Sequence, residues 1–123
     1  MNSRSKKTVV IGASPNTSRY SYLAVERLVK HGHEVVAVGK RKGEISGLEI
    51  QTEMVKVDNV DTVSLYVGPQ NQSHYKDYII DLKPSRVILN PGTFNPDLVE
   101  ALEENKIEAI EACTLVMLSA NTY

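Results

Sequence analysis

The sequence predicts an α/β fold, a doubly wound and mainly parallel sheet with helices on both faces. Short β-branched runs alternate with longer amphipathic stretches, the order expected of successive βαβ units. Those runs carry apolar residues at consecutive positions, as buried strands of a sheet covered on both faces do. Glycine recurs just after the strands, where each hands over to a helix. With 123 residues and 41% apolar side chains, one domain spanning 1–123 can bury its core without disulfides or a structural metal.

The elements follow in order. Thr8 to Ile11 reads Thr-Val-Val-Ile and forms the first predicted strand. A helix is predicted from Tyr20 to about His31, burying Ala24, Val25, Leu28 and Val29, with Gly32 free to take the left-handed turn that closes it. Val-Val-Ala-Val within 34–38 is the second strand, and a weaker candidate at 48–51 follows the turn region 43–47. The run within 62–67 is the next strand. Tyr75, Tyr78, Ile79 and Leu82 then fall on one helical face while Lys76, Asp77 and Asp81 lie off it, and Pro84 stops that helix. Val-Ile-Leu within 86–89 is a further strand. Asn95-Pro96-Asp97 supplies an N-cap, a proline at the first helical position and an early acid, with Leu98, Ala101 and Leu102 as the buried stripe and Asn105 as the stop. A last strand is predicted at 107–110.

Composition narrows the function classes. No apolar run exceeds four residues, far short of a membrane span, and the polar, basic start from Met1 to Lys7 lacks a signal-peptide core. Fourteen basic residues against fifteen acidic ones lack the broad positive field of a nucleic-acid binder. Cys113 is the single cysteine, so neither an internal disulfide nor a cysteine-rich zinc site is available. A cytoplasmic protein with no nucleic-acid, membrane or metal partner is expected; the residues leave open a homo-oligomer or a protein partner.

In a doubly wound sheet, ligands bind at the carboxyl edge of the strands, where strand order reverses. The loops expected there are 12–19, 39–43, 68–71 and 90–94, each carrying glycine. Glycine admits close approach of a ligand and the following helix start favours anions, so phosphate-bearing ligands lead, against the alternative that the glycines only make tight turns. A dinucleotide fingerprint would place glycines at Ser14 and Thr17 after Gly12, and neither is present. The acid that would bind a ribose at the end of the second strand is replaced by Gly39-Lys40-Arg41. NAD is therefore disfavoured, whereas NADP and coenzyme A, with their phosphorylated ribose, fit a basic strand end. A P-loop is absent.

Val10-Ile11-Gly12-Ala13-Ser14-Pro15-Asn16, followed by Ser18-Arg19 and Ser21, resembles the small stand-alone CoA-binding proteins, whose Rossmann-like domain also opens the succinyl-CoA ligase alpha chain. The likeness continues through His31 to Val38, Gly43 to Leu48, Asn90-Pro91-Gly92 and Cys113, nearly the whole chain. It implies that Gly12, Ala13 and Ser14 approach the diphosphate or its ribose, with Ser18, Arg19, Tyr20 and Ser21 at the helix start and Arg19 supplying charge. It also implies that Gly39, Lys40 and Arg41 border the adenosine end and that Val67, Gly68 and Pro69 line the other side of the crevice. The chain departs from relatives in carrying Gly39-Lys40 where they often have Asn-Pro, and in lacking a basic residue at Val67 or Gly68.

No catalytic group stands out. His31 and His33 flank a helix-ending glycine, His74 sits in a first helical turn, and none has a partnered nucleophile nearby in sequence. Cys113 reads as packing, as do Tyr66, Tyr75 and Tyr78. The ligase's phosphorylated histidine belongs to a second domain, so the resemblance carries no ligase activity. The expectation is non-catalytic binding of CoA or an acyl-CoA. The alternatives are an NADP-dependent oxidoreductase or nucleotide sensor, and an interaction domain whose ligand site has decayed.

Overall fold

The β-branched runs become strands and the amphipathic stretches helices in the computed structural model, which describes residues 5–123; residues 1–4, part of the polar start read above, lie outside the described residues. The order is β1 (Thr8–Ile11), α1 (Tyr20–Lys30), β2 (Val35–Val38), β3 (Glu44–Ile45), β4 (Leu48–Glu49), β5 (Thr62–Leu65), a 3-10 turn (Pro69–Asn71), α2 (Ser73–Leu82), β6 (Arg86–Leu89), α3 (Pro96–Glu104), β7 (Glu108–Glu111) and α4 (Thr114–Ser119). Five strands form one sheet in the order β2-β1-β5-β6-β7, and every neighbouring pair is parallel. Chain order reverses between β1 and β5, which is where this topology opens a crevice at the carboxyl edge.

Both sheet faces are covered. Val9, Ile11, Val63, Leu65, Val87 and Leu89 pack beneath Ile79 and Leu82 of α2 and Leu98 and Leu102 of α3. On the opposite face Val10, Val35 and Ala37 meet Val25 and Leu28 of α1 and Leu118 of α4. Each such large side chain contributes roughly 1.5–3 kcal/mol on full burial. Successive strand residues feed opposite layers, which is why the central strands carry apolar residues at consecutive positions.

Helix ends explain where the expected boundaries moved. The last strand begins at Glu108 rather than Ile107, because the Ile107 amide donates to Leu102 O at 2.9 Å and closes α3, with Lys106 left-handed at φ 61°. Gly32 at φ 86° closes α1 in the same way, with the His33 amide on Leu28 O at 3.0 Å. The Asn95 side chain accepts from the Asp97 amide at 3.1 Å, the predicted cap. The strand expected to reach Val67 ends at Leu65, since Gly12 turns β1 away at φ 96° and leaves no ladder beyond Tyr66. Two elements escaped the sequence reading. One is α4, and the other is β3, which pairs antiparallel with β4 through a Ser46-Gly47 turn in which both residues have positive φ.

Candidate functional site

A cleft of about 530 Å³ opens at the carboxyl ends of β1 and β5, beside the start of α1. Other surface grooves, of about 450, 700 and 480 Å³, lie at the amino edge around Lys6, His31 and His33, between the 54–60 segment and α2, and between the ends of α2 and α3. Size does not separate them. Position does, because only the first lies at the strand-order reversal.

Loop geometry builds this cleft. Gly12 must be glycine, since a Cβ there would come within 3.0 Å of the Tyr66 carbonyl and the backbone is left-handed. The Gly12 and Ala13 amides both donate to Val38 O at 2.9 Å, so they bind the end of β2 and are not available to an anion. Gly39 serves the same junction: a Cβ would lie 2.0 Å from Ala13 O, so glycine here lets β2 pass against the β1 loop. The loop then folds on Asn16, whose Oδ1 accepts from the Ser18 amide at 3.0 Å and from Ser18 Oγ at 2.8 Å, while the Asn16 amide donates to Ser14 Oγ at 3.1 Å. Arg19 follows as the N-cap residue of α1 in an extended conformation, exposed at the cleft.

On the far side, a buried amide holds two loops together. Gln72 is 2% exposed. Its Nε2 donates to Val67 O at 2.8 Å and Thr93 O at 2.6 Å, and its Oε1 accepts from Asn95 Nδ2 at 3.1 Å. Beneath it, Asn90 Nδ2 donates to Ser64 Oγ at 3.0 Å and Leu65 O at 2.9 Å, while Asn90 Oδ1 accepts from the Thr114 amide at 2.8 Å. Ser64 and Thr114 hydroxyls meet at 2.7 Å. These bonds join the β5 and β6 ends to α4 and hold the Val67 and Pro91 walls in place.

The structure brings together most residues expected from the sequence. Gly12, Ala13, Ser14, Arg19, Tyr20 and Ser21 line the cleft from the β1–α1 segment, Lys40 and Arg41 from the loop after β2, and Val67 and Gly68 from the loop after β5. Ser18, Gly39 and Pro69 stay outside the lining: Ser18 folds onto Asn16, Gly39 packs on Ala13, and Pro69 opens the 3-10 turn. Asn16, Tyr66, Asn71, Tyr75 and Pro91 line the cleft without having been assigned to it. Asn16, Asn71 and Pro91 sit in carboxyl-edge loops legible in the sequence. Tyr66 and Tyr75 follow strand and helix periodicity and look like core, which they also are.

Electrostatically the cleft is cationic. Arg19, Lys40 and Arg41 are its charged lining groups, and among the described lining residues there is no His, Cys, Asp or Glu. Tyr66 Oη is buried without a hydrogen-bond partner, and burial, with Cys113 nearby, pushes the phenol far above its ordinary range. Burial also raises Tyr75. Both phenols are therefore neutral around pH 7. Such a site can hold a polyanion by charge and helix-end amides, and it has no general base at hand.

The CoA binding domain family matches residues 6–119. This chain belongs to that family. A solved structure described as an uncharacterized protein is 55% identical, with a TM-score of 0.94, covering 97% of this chain and 98% of its own. A protein from Thermus thermophilus shares the fold at 22% identity and a TM-score of 0.84, covering 98% of this chain and 92% of its own. An acetyl-coenzyme A synthetase from Ca. Korarchaeum cryptofilum, solved with phosphate and ADP, shares it at 15% identity and a TM-score of 0.74, over 88% of this chain and 26% of its own. No curated protein sequence matches the chain. The family membership agrees with the Rossmann-like sheet and implies CoA binding. Among the described residues, no helix is long and apolar enough to cross a membrane, and no cluster of three metal-ligating side chains occurs.

Proposed function

We propose that the chain binds coenzyme A or an acyl-CoA in the carboxyl-edge cleft and performs no chemistry of its own. The observation that carries this is the convergence of Arg19, Lys40 and Arg41 on one cleft beside the start of α1. CoA carries a diphosphate and a ribose phosphate, and these cations lie where the sheet opens for a nucleotide. The absence of acids at the end of β2 favours a phosphorylated ribose over a free diol. Two serines line the cleft, but no histidine or carboxylate lines it to activate them, which supports binding without turnover.

A thermal-shift panel tests the reading. CoA and acetyl-CoA should raise Tm in a concentration-dependent way, because a ligand that binds the native state stabilises it by mass action, while NAD and ATP should do so little. A larger shift with NADP than with CoA would support the oxidoreductase or sensor alternative, and no shift with any nucleotide would support the interaction domain. Arg19→Ala should weaken CoA binding about tenfold by isothermal titration, since a charge-assisted phosphate contact is worth roughly 1.5–3 kcal/mol and this one is exposed.

A further inference from the structure

The cleft's charge is confined to one half. All its cations come from the β1–α1 segment and the loop after β2, whereas the lining residues Tyr66, Val67, Gly68, Asn71, Tyr75 and Pro91 are uncharged. The neutrality extends beyond the lining: residues 66–73 and 89–96, which form the two loops on that side, contain no charged residue. The first charged residues after these loops are Lys76 and Asp77, which offset one another in α2, and Asp97 in the first turn of α3, so the flanking chain brings no excess of positive charge to this half. The amides behind the wall cannot serve as anion donors either. Gln72 Nε2 is committed to Val67 O and Thr93 O, and Asn90 Nδ2 to Ser64 Oγ and Leu65 O.

A CoA ester is itself asymmetric, with all its phosphates toward the nucleotide end and its acyl group at the other. Resting on the CoA reading above, we propose that the cleft holds the phosphates on the Arg19, Lys40 and Arg41 side and directs the acyl group into the charge-free half. The site thereby takes uncharged acyl groups in preference to acyl groups that end in a carboxylate. A carboxylate placed there would give up water for the Asn71 amide and backbone alone, without a cation, while a methyl end meets Pro91, Val67 and the tyrosine rings. Since the cleft is open to solvent, the discrimination is moderate.

The matched pair propionyl-CoA and malonyl-CoA, equal in carbon number, tests this by isothermal titration at pH 8, above the ordinary histidine range. Propionyl-CoA should bind about as tightly as CoA, and malonyl-CoA about five- to tenfold more weakly than propionyl-CoA, the effect of one unpaired, partly desolvated carboxylate. Asn71→Lys, at an exposed position of the 3-10 turn, should close that gap to within about twofold by supplying the missing cation. Equal affinities for the two esters in the parent chain, or a gap that Asn71→Lys leaves unchanged, would overturn this orientation while leaving CoA binding intact. Failure of CoA itself to bind would overturn the underlying functional reading, and this inference with it.

Discussion

Gly39 and Gly12 show how little of a glycine-rich edge need serve a ligand directly. The Gly39 position is occupied by the passing backbone of Ala13, and the Gly12 and Ala13 amides are spent on Val38 O. Their contribution to the cleft is steric, in letting β1 and β2 end close together so that Arg19 and Lys40 approach the same space. Gly39→Ala should therefore destabilise the fold by about 2–3 kcal/mol, an overpacking cost against rigid backbone. A urea midpoint lowered with an unchanged slope would show it, whereas a wild-type midpoint would refute the packing role. Arg19, Lys40 and Arg41 were readable in the sequence as a basic presence near two strand ends, because strand ends and helix starts are local features. Tyr66 and Tyr75 were not, since a side chain with core periodicity gives no sign that one edge of its ring also borders a cleft.

Helices and strands were read best where capping chemistry is local. Asn95-Pro96-Asp97 and Gly32 mark their helix ends through bonds to residues within one turn. The six-residue α4 is different. Its Leu-Val-Met-Leu run has no polar stripe to display a helical period, and it is too short to be stable alone, so its helicity rests on Leu118 packing against α1 and on the Asn90–Thr114 bond. Asn90→Ala removes four bonds of this buried junction and leaves the Thr114 amide without its partner, while Ser64 keeps its bond to the Thr114 hydroxyl. It should cost about 3 kcal/mol. Amide exchange should then rise most in α4, and an effect spread evenly over all elements would contradict its role as the tie between β6 and α4.

Across the whole molecule, the amino edge of the sheet is joined by a different device from the carboxyl edge. His33 Nδ1 accepts from the Lys6 amide at 2.9 Å, its ring lies 4.9 Å from that of Tyr123, and Tyr123 in turn shares a 2.6 Å hydrogen bond with Thr8 and carries Arg86 over its ring. Protonation would put a second donor against the Lys6 amide. Burial lowers the His33 pKa, and His31, Lys6 and Arg86 lower it further against the opposing pull of Asp61. A folded-state value below the unfolded value of about 6.5 means that the unfolded chain binds the proton more readily. Stability from this group is therefore present above pH 6.5 and is lost as pH falls through that value toward the folded pKa. Denaturation midpoints at pH 7.5 and 5.5 should differ less in His33→Gln than in the parent chain, and equal differences would reject the assignment.

Fold class, the positions of the five strands of the main sheet, most helix positions and the basic character of two edge loops were legible from residue order, because β-branching, helical periodicity and capping act between neighbours in the chain. Strand order, the spending of the Gly12 and Ala13 amides, the Asn90 and Gln72 networks and the neutral half of the cleft were not. Each depends on groups brought together from distant parts of the chain, as Gln72 is with Thr93 and Ser64 with Thr114. Such contacts form only when the sheet closes and burial leaves no water to satisfy their polar atoms, so no local pattern in the chain encodes them.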